Sequence, residues 1–416
     1  MAFLTKTIKL HLHPDKETHL LFLEVTKRYA DACNYISRYI FENNFPLNYA
    51  NVHKAIYGEV RDIFKTKSQM TISAFKTVTA RYKTVKEQLF QNPYRYKDTD
   101  GTWKSIPKTL EWLWYPIKFS RPQADFVRNK DYRFVGKMNV LSINTLKKRV
   151  RVSFDLPEYY REYLAPKSPW KLGTGKLVRT KNKWYFHIPA TREIPDPEIE
   201  TDLEHIVGID RGLRFLAVTY DENGKTRFED GDKILEKRST FKNVRAELQS
   251  KGTKSAKRVL KRLSGRENRL ISDVNHRISK ALVDTYGVNT LFVLEDLAGV
   301  SFSEKTLSNR NANGRNELRS WAFYQLETFL GYKAAERGSS VIKVSPKYTS
   351  QRCPICGRIR KENRKHEKHE YICDVCGYRS NDDRIGAMNL LELGVMYVLG
   401  NEKPMYQLPK GADNSS

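Results

Sequence analysis

An α/β fold of several domains is what this sequence predicts, on three observations. A chain of 416 residues has the length for about two to four domains and a sizeable core. Its texture changes along the way: a strand and long amphipathic helices, a strand-rich stretch over 92–195, then strands alternating with helices from 206 onward. Within 348–390 stand two Cys-x-x-Cys pairs, Cys353/Cys356 and Cys373/Cys376, sixteen residues apart. That spacing suits a small metal-held module.

Lysine and arginine number 74 against 48 aspartates and glutamates, a net charge of +26. The excess is beyond what solubility needs and points to a polyanion, nucleic acid first. Aromatic residues, 12% of the chain, speak for a folded protein rather than a basic disordered tail. No apolar run approaches the ~18 residues needed to span a bilayer, so no membrane partner is expected. The N-terminal stretch alternates like a strand and lacks the apolar block and cleavage site of a signal peptide. Five cysteines, four of them in metal spacing, suit a reducing compartment, and a cytoplasmic location is expected.

In residues 4–12, Leu4, Ile8, Leu10 and Leu12 share one face at period two, a strand. Pro14 and Asp15 then open a helix in which Phe22, Val25, Tyr29, Cys33, Ile36 and Ile40 recur every three or four residues. Cys33 on that stripe is a core residue, not a reactive thiol. A second long helix is expected over 68–90, with Ile72, Phe75, Val78, Tyr82, Val85 and Leu89 inward and Lys76, Arg81, Lys83 and Lys86 outward. A basic helix face is ordinarily just solvated; the charge of the whole chain turns this one towards phosphate. Over 92–195, runs such as KRVRVSF and KWYFHIPAT are punctuated by Pro and Gly, and TKNK (180–183) reads as a hairpin turn. This is an antiparallel sheet or a small barrel. Trp170, Trp184 or Tyr185 would be able to stack on bases, though core packing is the commoner job for each. The helices after the first strand look like an insertion into a β domain, and the acidic stretch 195–204 looks like a linker.

The run IVGI (206–209) is a short apolar strand ending in Asp210; a strand over 215–220, a turn at 221–224 and a third strand follow. Three antiparallel strands with a carboxylate on the first is how an RNase H-like fold begins, although an Asp closing a buried strand is common. Residues 237–269 hold twelve Lys and Arg against two Glu, split by Gly252 and Gly265. Thin apolar stripes (Val244/Leu248, Leu260/Leu263) under so dense a charge fit a nucleic-acid groove better than a solvated helical hairpin. A helix over 276–286 precedes a buried strand at 290–294 that ends in Glu295, with Asp296 on the opposite face. A helix over 319–337 follows, with Trp321, Phe323, Tyr324, Leu326, Phe329, Leu330 and Ala334 read as core, then a strand at 341–344.

Two constellations carry chemistry. Four thiolates in two knuckles, each followed by a glycine (Gly357, Gly377) that permits a left-handed turn, can close a tetrahedral zinc site. A disulfide pair or chance is the rival, but the charged spacer, too polar to fold on a core of its own, favours a structural zinc that supplies the folding free energy. Three acids, Asp210, Glu295 and Asp383, each end an apolar strand or begin a helix, 85 and 88 residues apart. Singly each is more often structural. Together they have a use, because two magnesium ions about 3.5–4 Å apart need shared anionic oxygens.

The set GIDRG (208–212), LEDL (294–297), YTSQRCPICG (348–357) and CDVCGYRSNDDRIGAMNL (373–390) resembles TnpB, the transposon-encoded RNA-guided nuclease, a family related to the compact type V CRISPR effectors. The resemblance is strong over about 206–395 and includes WAFYQL (321–326) with Tyr332 and Ala334. KWYFHIPAT is similar to the last strands of the family's wedge domain, and before about residue 170 the likeness is one of organisation. It implies a RuvC-like nuclease domain over 206–346 and 378–400, interrupted by a zinc ribbon at 347–377 that binds target nucleic acid. It also implies a β-barrel wedge domain (1–14 and 106–205) carrying a helical recognition insert (15–105), and a flexible tail at 401–416. Asp210, Glu295 and Asp383 would be the catalytic acids and hold two magnesium ions; Cys353, Cys356, Cys373 and Cys376 would hold one zinc. Asp383 is preferred to Asp382 because the family has Ala four and Asn six residues after its acid, here Ala387 and Asn389. Arg211 and Ile385 depart from the family, which usually has an apolar residue and often Asn there.

The implied partners are a guide RNA from the transposon end and double-stranded DNA, cut on both strands beside a short flanking motif, with guide pairing supplying specificity. A prokaryotic, nucleoid-associated location follows. The rivals are a DDE-type transposase, which also uses three acids and two metals but no RNA, and a cleavage-deficient RNA-guided repressor, against which the retained acids argue. A zinc-ribbon RNA-binding factor would leave the carboxylates unexplained.

Overall fold

The computed structural model describes residues 2–136, 139–194, 203–212, 214–297, 323–365 and 367–408. The chain divides into a unit of Thr5–Glu193 and a unit of Ile194–Ser416 with Met1–Leu4. Residues 195–202 of the expected linker, residues 319–322 of the expected helix and residues 409–416 of the expected tail lie outside the described residues.

The first element is β1 (Ala2–His13), most of it in the first unit, whose Leu4, Ile8, Leu10 and Leu12 are all buried, as the alternation requires. Asp15 caps α1 (Lys16–Glu42), accepting from the Thr18 amide at 2.7 Å, and the stripe from Phe22 to Ile40 is buried. Burial also pushes the Cys33 thiol well up, consistent with a core residue. A helix that sequence reading passed over, α2 (Tyr49–Phe64), buries Val52, Ile56 and Val60 at four-residue spacing. In α3 (Ser68–Gln91), Phe75, Val78 and Tyr82 are buried, while Ile72, Val85 and Leu89 are only half-buried. Lys76, Arg81, Lys83 and Lys86 face outward.

A small hairpin, β2 (Tyr94–Lys97) and β3 (Trp103–Ile106), follows. Then come β4 (Gln123–Phe126), β5 (Tyr132–Val135), β6 (Val140–Asn144), β7 (Arg149–Asp155), the single turn α4 (Arg161–Leu164), β8 (Lys171–Leu172), β9 (Gly175–Thr180) and β10 (Lys183–Ile194). They form an eight-stranded sheet in the order β4-β9-β10-β1-β7-β6-β5, with β8 beside β10. The turn between β9 and β10 places Lys181 and Asn182 in the left-handed region, the geometry of a two-residue hairpin. Trp170 and Trp184 are core residues, and the Trp184 indole donates to His19 Nδ1 at 3.0 Å, so neither presents a free face to a base.

The second unit is built on a five-stranded sheet, β13-β12-β11-β14-β15. Here β11 (His205–Asp210), β12 (Phe215–Asp221) and β13 (Thr226–Asp230) are antiparallel, while β11, β14 (Thr290–Glu295) and β15 (Ser340–Val344) run parallel. Between β13 and β14 lie α5 (Asp232–Lys251), α6 (Lys254–Leu263) and α7 (Arg266–Tyr286), so the helix expected over 276–286 begins ten residues earlier. The continuous apolar run of β14 is explained by burial on both sides. Phe292 and Leu294 pack with α7 and α8 (Phe323–Glu336), whereas Leu291 and Val293 pack with Leu390 and Leu393. Those two leucines belong to α9 (Asp382–Val398).

In α8, Leu326, Leu330 and Ala334 are buried, but Tyr324 is 78% exposed, against its expected place in the core. Inward positions recur at three and four residues, and Tyr324 falls between Phe323 and Leu326 on the turn facing solvent. The cysteine module carries a three-stranded sheet, β16 (Arg364–Lys365), β17 (Glu370–Ile372) and β18 (Arg379–Asn381). Tyr371, beside the charged spacer, is fully buried and clusters with Cys353, Cys373 and, from α9, Ile385. Among the described residues, no helix is long and apolar enough to cross a membrane.

Candidate active site and metal centre

Asp210 and Glu295 close neighbouring parallel strands whose register pairs Ile209 with Leu294, so the two acids project from the same sheet end. Strands in a sheet lie about 4.8 Å apart. The third acid arrives on α9, whose first turn is capped by Asn381: its side chain accepts from the Asp383 and Arg384 amides at 3.0 and 3.1 Å. Two glycines let α9 approach this closely. A Cβ on Gly208 would lie 2.0 Å from the Ala387 carbonyl oxygen, and one on Gly386 would lie 2.6 Å from Asp210 Oδ2. Both glycines fall within the motifs GIDRG and CDVCGYRSNDDRIGAMNL, which carry no signal of this packing role.

The three acids are electrostatically coupled through Asp210. Burial raises its carboxyl well above the usual carboxylate range, and the negative charges of Glu295 and Asp383 raise it further. Burial also raises Glu295 and Asp383. Thr349 Oγ1 donates to Glu295 Oε1 at 2.5 Å, and Asn389 Nδ2 donates to the Thr349 carbonyl at 2.7 Å. Arg364 of the ribbon donates to Asp382 Oδ2 at 2.9 Å and to Asp383 Oδ1 at 3.2 Å. Asp382 is fully buried and turned to Arg364, whereas the Asp383 side chain keeps 14% exposure. Arg211 also closes on the site: its guanidinium donates to the Glu295 carbonyl at 2.6 Å, the Phe323 carbonyl at 3.3 Å and Glu327 Oε2 at 3.2 Å. Thr349, Arg364 and Arg211 carry no sequence signal of these contacts, because each partner lies at least 18 residues away.

An oxygen-only set of partly uncompensated buried carboxylates suits hard divalent cations. The oxygens of Asp210, Glu295 and Asp383 are not gathered around a single point, although those of Asp382 and Asp383 do lie within 4.8 Å of a His369 ring nitrogen.

The cysteines do converge. All four sulfurs lie within 4.8 Å of one another, with Cys353 to Cys376 at 3.6 Å and Cys356 to Cys373 at 3.5 Å. These separations are far beyond a disulfide and close to the edge of a tetrahedron with 2.3 Å metal–sulfur bonds, about 3.8 Å. Each knuckle turns identically: Gly357 and Gly377, at φ 75° and 70°, donate to the carbonyls of Cys353 and Cys373. Burial pushes the Cys353 thiol up to about 12. At Cys373 burial is outweighed by the amides of Cys376 and Val375, which bring it down to about 7. Beside the knuckle, Asp374 is fixed by Arg360 at 2.7 Å and Asn363 at 2.9 Å.

Residues 189–299 match the sequence family described as a probable transposase, OrfB of IS605, and residues 323–390 match the Cas12f1-like TNB domain. The CRISPR-associated endodeoxyribonuclease Cas12f1 of Sulfoacidibacillus thermotolerans is 24% identical over 83% of this chain and 81% of its own length. That span reaches into the first half of the chain, further than the motifs did. A TnpB-like protein of Methanocaldococcus jannaschii is 26% identical over 63% of this chain and 92% of its own. The putative RNA-guided DNA endonuclease InsQ of Escherichia coli is 29% identical over 51% of this chain, which spans about half (54%) of that relative. In fold, the chain resembles CasPhi-2 (Cas12j), solved by cryo-EM bound to crRNA and phosphorothioate-DNA, with TM-score 0.51, 12% identity and coverage of 97% and 93%; at that identity the likeness is one of fold alone. The chain is a relative of the TnpB-like proteins and the Cas12f1 endodeoxyribonucleases.

Proposed function

We propose that the protein is an RNA-guided DNA endonuclease, with Asp210, Glu295 and Asp383 as its catalytic acids. The observation that carries this reading is that Glu295, on the neighbouring strand, and Asp383, on the helix that packs against Asp210 through Gly386, both act on the buried Asp210 carboxyl. The sheet order, three antiparallel strands followed by two parallel ones, supports an RNase H-like, RuvC-type domain, and the eight-stranded sheet of the first unit supports a wedge domain carrying α1–α3 as a recognition insert. When bound, two magnesium ions would supply charge neutralisation at the scissile phosphate and at the departing 3′ oxygen. The chain's own residues fix the donors: strand ends hold Asp210 and Glu295, Thr349 orients the Glu295 carboxylate, and the capped first turn of α9 presents Asp383. Cys353, Cys356, Cys373 and Cys376 would hold one zinc that keeps Arg364 and its ribbon beside the acids.

The partners are a guide RNA and double-stranded DNA, with base pairing supplying sequence specificity. The basic helices α5 and α6, largely exposed, would line a phosphate-binding channel. The test is to purify the protein with its RNA, sequence that RNA, and offer supercoiled DNA carrying the matching target. Cleavage dependent on both RNA and divalent ion is expected. RNA-independent strand transfer would replace this reading with a transposase, and RNA-guided binding without cutting would replace it with a repressor.

A further inference from the structure

The β2–β3 hairpin and the segment after it carry aromatic side chains that the proposed chemistry does not use. Tyr94 pairs with Ile106 and Tyr96 with Lys104, which puts these four on one face, since directly opposed residues share a side. There the Tyr94 and Tyr96 rings stack, 6.2 Å apart at 18°, and Trp112 leans on Tyr94 at 5.8 Å. Lys108 stands over the Trp112 ring, also at 5.8 Å. The other face carries Arg95, Lys97 and, opposite Lys97, Trp103, which is 71% exposed. Just beyond Trp112, Trp114 and Tyr115 are 88% and 81% exposed.

Half of the six tryptophans in the chain are therefore solvent-facing within one short stretch, while Trp170 and Trp184 are buried. Of the three rings the sequence offers for stacking, Trp170 and Trp184 do the commoner core packing, and Tyr185 is half-buried beside His11. An isolated two-stranded ribbon is marginal in water, and a free chain seldom leaves so many large rings bare without a partner to cover them. Rings interleaved with lysine and arginine are chemically suited to unpaired nucleobases, whose faces stack while the cations meet phosphates.

We propose that the β2–β3 ribbon with Trp112–Tyr115 is a stacking platform for unpaired bases of the bound RNA. The inference rests on the proposed function in one respect, that RNA is the standing ligand. A surface bare in the free chain needs a permanent cover, and a guide stays bound while target DNA comes and goes. The test uses the full chain, an unstructured 20-nucleotide oligo(U) probe and oligo(dT) of the same length, read by tryptophan fluorescence and binding isotherms. The variant carries Trp103→Ala, Trp114→Ala and Tyr115→Ala; these side chains are exposed, so its circular dichroism and Tm should match the parent.

Oligo(U) should quench the parent's fluorescence, and the variant should bind it roughly 5- to 100-fold more weakly, the loss of at least one stacked base. Unchanged oligo(U) affinity would overturn the platform. Weakened binding of oligo(dT) alone would assign the surface to DNA and overturn the RNA assignment. Self-association of the parent that the variant loses, with RNA binding intact, would make it an interface between two copies. The readout is binding and involves no cleavage, so a chain that proved inactive as a nuclease would leave this result standing.

Discussion

Asp210 is the residue on which the electrostatics of the site turn. Its folded-state carboxyl is raised well above the ordinary 3.8 by burial and by Glu295 and Asp383. The sign is therefore that of a raised acid. Its favourable contribution to folding is complete below about 3.8 and is lost as the pH rises through the raised value. Asp210→Asn should lose all cleavage in magnesium yet, at neutral pH without divalent ions, melt higher than the parent, because the amide keeps the shape and drops the charge. Magnesium should raise the Tm of the parent and leave that of the variant unmoved; an equal rise in both would remove Asp210 from the ion site. Arg211 is the second residue with a calculable role. Its buried guanidinium ties the end of β14 to α8 through Glu295, Phe323 and Glu327, and Glu327 has a further partner in Lys343 at 3.3 Å. Arg211→Met should cost about 3 kcal/mol, the low end for a broken buried pair, measured by urea unfolding; a neutral result would show that the departure from the family is merely tolerated.

At the scale of elements, the packing of α9 on β11 depends on Gly208 more than on Gly386. A methyl at Gly208 meets backbone atoms, the Ala387 carbonyl oxygen at 2.0 Å and the Leu391 nitrogen at 2.5 Å, which cannot swing away. At Gly386 it meets the Asp210 side chain. Gly208→Ala should therefore lower stability by about 3 kcal/mol or more, whereas Gly386→Ala should chiefly displace Asp210, with cleavage lost and Tm nearly kept. The ribbon is a separate element with its own dependence. One zinc per chain is expected, and Cys373→Ser or strong chelation should abolish that content and raise hydrogen exchange over 348–381 while β11 and β14 remain protected. Full zinc content after Cys373→Ser would argue against the four-thiolate site.

These elements also show what the sequence discloses. Strands such as β1 and β14, and the knuckle glycines, were legible because alternation, burial and left-handed turns are local demands that residue types answer directly. Helix α2 was equally legible from Val52, Ile56 and Val60 and was simply passed over. Tyr324 misled because an aromatic beside core positions on a helix is one-third of a turn from them. The contacts of Thr349, Arg364 and Arg211 were not legible, because they are made across the fold by residues with no pattern linking them.

For the whole molecule the dominant quantity is charge. Twelve basic residues in 237–269, most of them on two helices with little buried surface, mean that nucleic-acid binding should be strongly salt-dependent. About 6–10 phosphate contacts imply a loss of roughly 10³–10⁵ in affinity between 50 and 200 mM salt, and a flat response would discredit a phosphate channel. The central claim, however, is that three remote carboxylates share a pair of divalent ions, and crystals of the protein grown with manganese test it most directly. Anomalous difference density should show two peaks about 3.5–4 Å apart between Asp210, Glu295 and Asp383. No peak there, or a single peak displaced to His369 and Asp382, would contradict it.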